Sequence, residues 1–157
     1  MNFKRSVKKT PLLEDAWKPG LQALRAEDKP HIAPDDSRKI KGSVDIDTTY
    51  MAIDPNGNRW DFAIGYRHTN RKADVVYWVE LHTASDSEVK VVIKKAQWLL
   101  NWFKVPGTLL SAFEREILWV SSGSTKLSPS APQKKQMAQV GLRQVGERLR
   151  IHDHRKD

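Results

Sequence analysis

Two carboxylates lie in neighbouring apolar segments of the chain, at positions where charged side chains are uncommon. Asp61 belongs to the segment Arg59 to Arg67, and Glu80 belongs to Asp74 to Thr83, which is rich in valine and aromatic residues. Strands of that composition rarely carry a carboxylate without a partner. Carboxylate oxygens are the ligands that hard cations such as Mg²⁺ and Mn²⁺ prefer. We therefore interpret Asp61 and Glu80 as the ligands of one divalent cation.

The pairing of the two segments decides whether these carboxylates meet. If the connection 68–73 closes symmetrically, Asp61 becomes the direct cross-strand partner of Glu80. The same register gives three further pairs: Arg67 with Asp74, Gly65 with Val76, and Ala63 with Trp78. Two like charges side by side are destabilising unless a cation compensates them, and a slip of one residue would turn Asp61 to the other face. In the alternative interpretation, Asp61 only ends a turn and Glu80 pairs with a basic neighbour such as Arg59.

A lysine on the following helix is a candidate third member of the site. The segment Asp86 to Lys104 has helical periodicity, and Lys95 falls inside its apolar arc, between Leu99 and Trp102. A lysine there either extends its amino group to solvent or pairs with a buried anion. The Asp61 and Glu80 pair would be such an anion.

His82 is the fourth candidate, because it lies two residues beyond Glu80 on the same face of the strand. A neutral imidazole in that position can ligate a metal or deprotonate a water near neutral pH. The alternative is a strand-end histidine with a single hydrogen bond. Asp45 and Asp47 are further acids, but a short turn at 55–58 would direct Asp47 away from Asp61.

The remaining sequence patterns indicate how these residues are positioned. Ser85 and Glu88 predict a helix N-terminus, Pro106-Gly107 its end, and Asn56-Gly57 a hairpin turn. In chain order we expect a helix at 10–27 interrupted at Pro19-Gly20, a loop at 28–38, strands at 44–53, 59–67 and 74–83, a helix at 86–104, a strand at 117–120, a loop at 121–132 and a basic helix at 133–150. This order predicts an α/β (α+β) fold with three antiparallel strands.

Length and charge suggest one domain with basic ends. A chain of 157 residues with 39% apolar residues and six tryptophans is typical of a single folded domain, here 1–157. Residues 1–10 carry four basic and no acidic side chains, and residues 126–157 carry eight basic and three acidic ones, out of a net charge of +8. We expect a basic arm at 1–10 and a tail at 151–157 that bind phosphates of nucleic acid, DNA or RNA. The alternative is that these ends are merely solvated.

Several classes of protein are excluded or disfavoured. The chain has no cysteine, which excludes disulfides, cysteine-ligated metal and a cysteine nucleophile. We find no glycine-rich phosphate loop, no HExxH and no nucleophile elbow. No apolar run reaches the length of a signal peptide or a membrane span, so we expect a cytoplasmic protein without a membrane partner. We expect four histidines to be solvated, namely His31, His68, His152 and His154.

The order of elements and the placement of the acids resemble the PD-(D/E)XK, or restriction-endonuclease-like, nuclease superfamily. Over roughly Thr10 to Val120, the resemblance implies a helix, three antiparallel strands, a helix and a further strand. Asp61 matches the family's aspartate, and Glu80-Leu81-His82 matches Glu-x-Lys except that histidine replaces lysine. Some members carry that lysine on the following helix, where Lys95 lies here. No proline precedes Asp61, which is a second departure.

The resemblance implies metal-dependent hydrolysis of phosphodiester bonds in nucleic acid. Asp61 and Glu80 would hold Mg²⁺ or Mn²⁺, and His82 or Lys95 would orient or deprotonate the attacking water. The tail and the segment from Lys126 to Lys135 would hold the phosphate backbone. Two alternatives remain: a catalytically inactive nucleic-acid-binding domain of this fold, and a protein-interaction domain whose surface includes Trp98 and Trp102.

Overall fold

Helices and strands are interspersed along the chain. The computed structural model describes residues 1–83, 85–121 and 129–153. Within these ranges the helices are Phe3–Lys8 (α1), Ile46–Tyr50 (α2), Asp86–Lys104 (α3), Thr108–Ser111 (α4) and Ala131–Val140 (α5). The strands are Ile32–Pro34 (β1), Ile40–Asp45 (β2), Phe62–Tyr66 (β3), Val75–His82 (β4), Glu114–Ser121 (β5), Leu142–Gln144 (β6) and Leu149–Ile151 (β7).

A five-stranded mixed sheet organises the fold, in the order β2-β3-β4-β5-β6. Strands β2, β3 and β4 are antiparallel, whereas β5 runs parallel to β4, and β6 runs parallel to β5. The parallel pair β4 and β5 needs a crossover, which α3 provides. A second, two-stranded parallel sheet pairs β1 with β7. The predicted α/β class, with three antiparallel strands followed by a helix and a strand, is confirmed.

The predicted register between β3 and β4 is also confirmed. Gly65 pairs with Val76 and Ala63 pairs with Trp78. Because Phe62 is the last paired residue of β3, Asp61 immediately precedes the strand, where it continues the same alternation. The Arg67 guanidinium lies 2.6 Å from the Asp74 carboxylate at the opposite end of this hairpin.

Both faces of the sheet are buried, and the alternation of side chains assigns each residue to one face. The face that carries Trp78 and Glu80 packs against α1, α3 and α4. The opposite face packs against the segment around Leu24 and against β1 and β7. On α3 the predicted apolar arc is buried, and Trp102 is buried with it, whereas the alternative of a protein-interaction surface would expose Trp102.

The N-terminal segment expected as a basic arm is folded onto the sheet, and the helix expected at 10–27 is wrong. Phe3–Lys8 is helical, with the Asn2 side chain accepting a hydrogen bond from the Arg5 amide at its start. Phe3 and Val7 are fully buried because they pack on the sheet, so this segment belongs to the core despite its lysines. Residues 10–27 form a chain of turns instead of a helix.

The connection between the first two antiparallel strands also differs from the prediction. The strand expected at 44–53 ends at Asp45, whose carboxylate accepts a hydrogen bond from the Thr48 amide and so starts α2. An aspartate in this position favours a helix N-terminus over a continued strand. The loop expected at 28–38 contains β1 and two short 3₁₀ turns, Lys29–His31 and Ser37–Lys39.

The expected basic helix at 133–150 is right only in its first half. Helix α5 starts at a capping box formed by Ser130 and Gln133, and it ends at Gly141, which has a φ of +71°. A left-handed residue ends a helix, and glycine adopts that conformation without steric cost. The chain then forms β6 and β7. Most of the loop expected at 121–132, and most of the expected tail, lie outside the described residues.

Candidate functional site

Asp61, Glu80 and Lys95 form one cluster at the helical face of the sheet. The Lys95 ammonium lies 2.6 Å from the Glu80 carboxylate and 3.8 Å from that of Asp61. The Asp61 carboxylate also accepts a hydrogen bond of 3.0 Å from the amide of Leu81, which fixes it beside Glu80. Lys95 therefore pairs with the buried anion, and of the two expectations for this lysine the structure shows the second.

The elements around the cluster explain why these side chains meet. The carbonyl of Asp61 accepts a hydrogen bond of 2.9 Å from the Ile46 amide, so the start of α2 holds Asp61 from one side. Glu80 continues the pleat of β4, and α3 crosses the same face with its buried arc. Since Lys95 lies within that arc, its amino group reaches the carboxylates from above the sheet.

Burial sets the protonation of the cluster. Glu80 is fully buried, and this burial, together with the charge of Asp61, raises the pKa of Glu80 well above its usual value. Burial likewise raises the pKa of Asp61, although Lys95 opposes the shift. Burial alone would lower the pKa of Lys95, but the two carboxylates outweigh it and raise that pKa, which keeps the ammonium charged.

One oxygen of the buried Glu80 carboxylate lacks an interaction that compensates for its lost hydration. Glu80 Oε1 is buried and has no hydrogen-bond partner among the described residues. A buried carboxylate oxygen requires a proton or a cation to offset its loss of water. Burial and the neighbouring charge of Asp61 raise the pKa of Glu80, so this carboxyl group takes up a proton more readily than an exposed glutamate does. A divalent cation would meet the same need by displacing that proton.

The two carboxylates fit a cation that takes few protein ligands. Within the described residues, no group of three or more histidine, cysteine, aspartate or glutamate side chains has the arrangement of a metal site. Mg²⁺, however, usually binds through one or two carboxylates, retained waters and substrate phosphates. Asp61 and Glu80 match that pattern, and a full protein cage is not required.

His82 lies at the edge of the cluster and has a second carboxylate partner. Its Nδ1 is 3.8 Å from Glu80 Oε2, and its Nε2 is 2.5 Å from Glu88 Oε2. The backbone carbonyl of His82 accepts a hydrogen bond of 3.0 Å from the Trp119 indole on the neighbouring strand β5. Glu88 thus orients the His82 ring, and Trp119 holds the His82 backbone. His82 therefore makes more contacts than the single hydrogen bond that the alternative interpretation expects.

Glu88 is the site residue that sequence reasoning missed. The sequence pattern predicts a capping box for Glu88, yet the Ser85 side chain makes no capping hydrogen bond and the Glu88 carboxylate contacts His82. Both roles place a glutamate in the first turn of α3, so the sequence pattern could not distinguish them. The available signal was the short separation in sequence between His82, at the end of β4, and Asp86, at the start of α3.

The expected partner of Glu80 in the alternative interpretation is engaged elsewhere. Arg59 pairs with Asp47 at 2.8 Å and donates a 2.6 Å hydrogen bond to the Asp54 carbonyl. Asp47 therefore does not join the cluster directly, although its charge contributes to the raised pKa of Asp61. Asp45 serves as the cap of α2.

The other histidines differ from one another in burial and in contacts. His68 is buried, with its Nε2 lying 2.8 Å from the Tyr77 hydroxyl, so the expectation that it is solvated is wrong. His31 lies 2.5 Å from the carbonyl of Glu147. His152 is exposed and 3.7 Å from Asp35. His154 and Lys126 lie outside the described residues.

Comparisons with protein-family models, with curated proteins and with solved structures found no match to this chain. Within the described ranges, no helix combines the length and apolar character needed to cross a membrane. What the chain can do therefore has to follow from the geometry of its own side chains.

Proposed function

We propose that this chain is a metal-dependent nuclease that hydrolyses phosphodiester bonds in DNA or RNA, with a core of the PD-(D/E)XK arrangement. The observation that carries the proposal is the contact of Lys95 with Glu80 beside Asp61 on one face of the sheet. Its support from the fold is the order of three antiparallel strands, a helix, and a strand parallel to the third. The lysine on α3 supplies the cation that Glu-x-His lacks at its third position.

The charges of the cluster suit the transition state of phosphodiester hydrolysis. Asp61 and Glu80 would hold Mg²⁺ or Mn²⁺, which when bound polarises the phosphate and activates water. Lys95 stays protonated, because its pKa is raised, so it stabilises negative charge on the phosphate and does not accept a proton. Once its contact with Glu80 is shared with substrate, its ammonium can donate to a phosphate oxygen.

His82 is then the base of the proposed reaction. Its Nε2 faces the Glu88 carboxylate at 2.5 Å, so this nitrogen carries the hydrogen and Nδ1 is left as the acceptor. Nδ1 lies on the side of Glu80, 3.8 Å from its carboxylate. In this arrangement Nδ1 accepts the proton of the attacking water, and Glu88 stabilises the imidazolium that forms.

The proposal is tested by titrating Mn²⁺ and Mg²⁺ calorimetrically into the wild-type chain and into Asp61→Asn and Glu80→Gln. Cleavage of single-stranded and duplex DNA and RNA is followed in parallel. Asp15→Asn, which removes an exposed carboxylate away from the cluster, is the matched control.

Metal binding and cleavage lost in both cluster variants, and retained in Asp15→Asn, is the expected result. Nucleic-acid binding without any cleavage by the wild type would instead support the inactive binding domain. A wild-type chain that binds no divalent ion, with and without nucleic acid, contradicts the proposal.

A further inference from the structure

An arginine-lined groove lies on the sheet face opposite to the acid cluster. It has a volume of about 470 Å³, and its lining includes Tyr77, Glu116, Arg143, Arg148, Arg150 and His152. We call this feature the arginine groove. Tyr77 points away from the face that carries Glu80, and three residues along a strand separate the two by about 10 Å. The groove is therefore distinct from the acid cluster.

The basic residues of the groove form a regular row. Arg148, Arg150 and His152 alternate with Leu149 and Ile151, which are buried, so the three share the outward face of β7. Alternate residues of a strand repeat about every 6.6 Å. The row therefore offers two guanidinium groups and one imidazole at a regular interval along an extended backbone.

These cations are available to a ligand. Glu116 is the acidic residue among the described lining, and it pairs with Arg143 at 3.2 Å. His152 faces Asp35 at 3.7 Å. Within residues 1–83, 85–121 and 129–153, neither Arg148 nor Arg150 has an ion pair, and both side chains are exposed. Two guanidinium groups that lack a counter-ion among the described residues thus face the groove.

The backbone that carries the row is held in place before any ligand binds. The Ser121 amide donates a 2.7 Å hydrogen bond to the Gly146 carbonyl, and the Val145 amide donates to the Trp119 carbonyl at 3.0 Å. On the far side of the row, Asp153 accepts hydrogen bonds from the backbone and the hydroxyl of Thr69. A backbone fixed at both ends loses little entropy on binding.

We propose that the arginine groove binds the phosphate backbone of a nucleic-acid strand at a site separate from the acid cluster. Guanidinium groups pair with phosphate oxygens in a bidentate fork, and successive phosphates along a strand match a repeated row of cations better than a single small anion does. The inference rests on the proposed function for the identity of the ligand. It adds that binding and hydrolysis use different faces of the sheet.

The test separates binding from cleavage. Binding of a fluorescein-labelled single-stranded oligonucleotide of about 16 nucleotides is measured by anisotropy in EDTA, where metal-dependent cleavage does not occur. The double variant Arg148→Gln/Arg150→Gln is compared with Lys94→Gln/Lys104→Gln, which removes two exposed cations from α3, on the other face of the sheet. Thermal unfolding of each variant verifies that it is folded.

We expect the arginine variant to bind at least about tenfold more weakly, with the slope of log K against log salt reduced by about 1.4 for two lost phosphate contacts. The lysine control should retain the wild-type slope to within half of that change. In cleavage assays with Mn²⁺ the arginine variant should raise KM and leave kcat unchanged. We expect this raised KM and unchanged kcat whether the preferred substrate is DNA or RNA.

Three outcomes would overturn the inference. Equal weakening in the two double variants would show that only net charge matters, while leaving the nuclease proposal intact. Unchanged binding in the arginine variant would place the nucleic acid elsewhere. Loss of binding to phosphatidylserine vesicles in the arginine variant, with no oligonucleotide binding by the wild type, would assign the groove to a membrane surface.

Discussion

Lys95 ties the protonation of two carboxylates to the stability of the fold. Its ammonium compensates Glu80 at 2.6 Å, inside a site where Glu80 is fully buried. A buried charge without its partner is far more costly than a buried pair. Substitution of Lys95 should therefore lower the free energy of unfolding as well as the rate of any reaction.

Lys95→Met should destabilise the metal-free chain increasingly as the pH rises. The folded pKa of Glu80 lies well above 4.5, so its contribution to stability is complete below the unfolded value and is lost as the pH rises through the folded pKa. Without the ammonium that folded pKa rises further, and the deficit relative to wild type should grow by up to about 1.4 kcal/mol for each pH unit. Urea unfolding in EDTA between about pH 5 and pH 8 measures this.

Lys94→Met is the matched control, because Lys94 directly precedes Lys95 in the same helix and its side chain is exposed. Its effect on the free energy of unfolding should be small and independent of pH. A Lys95→Met deficit that stays constant across the range would show that Lys95 does not compensate Glu80.

His82 and Glu88 should act as one unit. If Glu88 works only by orienting the His82 ring and stabilising its charge, His82→Ala and Glu88→Gln should each lower the single-turnover cleavage rate by about 100-fold. The double variant should then be little slower than His82→Ala alone, because without the His82 ring the Glu88 carboxylate has nothing left to orient or stabilise. Losses that multiply in the double variant would assign Glu88 an independent role.

At the scale of elements, helix α1 is held by a close approach to β3. A Cβ on Gly65 would lie 2.4 Å from Phe3 Cγ, a distance at which one of the two must move. The amide of Phe3 also donates a 2.8 Å hydrogen bond to Asp74, at the start of β4. The N-terminal helix thus depends on a glycine in the second antiparallel strand.

Gly65→Ala should lower the free energy of unfolding by about 2 kcal/mol, since overpacking a closed contact forces a backbone shift. In a Phe3→Leu background the same substitution should cost less, because the smaller side chain can yield. Chemical denaturation of the four chains gives the coupling energy. Equal cost in both backgrounds would show that Phe3 is not what Gly65 accommodates.

At the scale of the whole molecule, one sheet joins two apolar clusters. All six tryptophans belong to or pack against the cluster on the helical face, whereas the opposite cluster includes Ile64, Tyr66 and Tyr77. Because β3, β4 and β5 contribute to both clusters by alternation, the two faces cannot unfold separately without breaking shared strands. Tryptophan fluorescence thus reports one face while circular dichroism reports the backbone as a whole.

Ile64→Ala should shift both signals equally, by about 3 kcal/mol, although Ile64 is buried on the face without tryptophan. Coincident transitions are the mark of a cooperative unit. If the fluorescence transition stays at its wild-type midpoint while the dichroism transition moves, the two faces unfold independently.

Several features followed from the sequence alone, because the information in them is local or periodic. The bounds of α3 follow from its apolar arc and from Pro106-Gly107. The register of β3 with β4 follows from alternation and from a short connection, and it brings Asp61 beside Glu80. Each of these needs only neighbouring residues and the period of one element.

Other features were decided by packing between distant segments. Phe3–Lys8 is helical because Phe3 and Val7 pack against the sheet. The basic composition of this segment gives no indication of that contact. Leu142 and Leu149 fit a helical period as well as they fit two strands, and the available edge of β5 and the pairing with β1 select the strands. Only the tertiary structure directs Lys95 to the carboxylates and Glu88 to His82, because a long side chain has several partners within reach and its choice depends on which of them is buried.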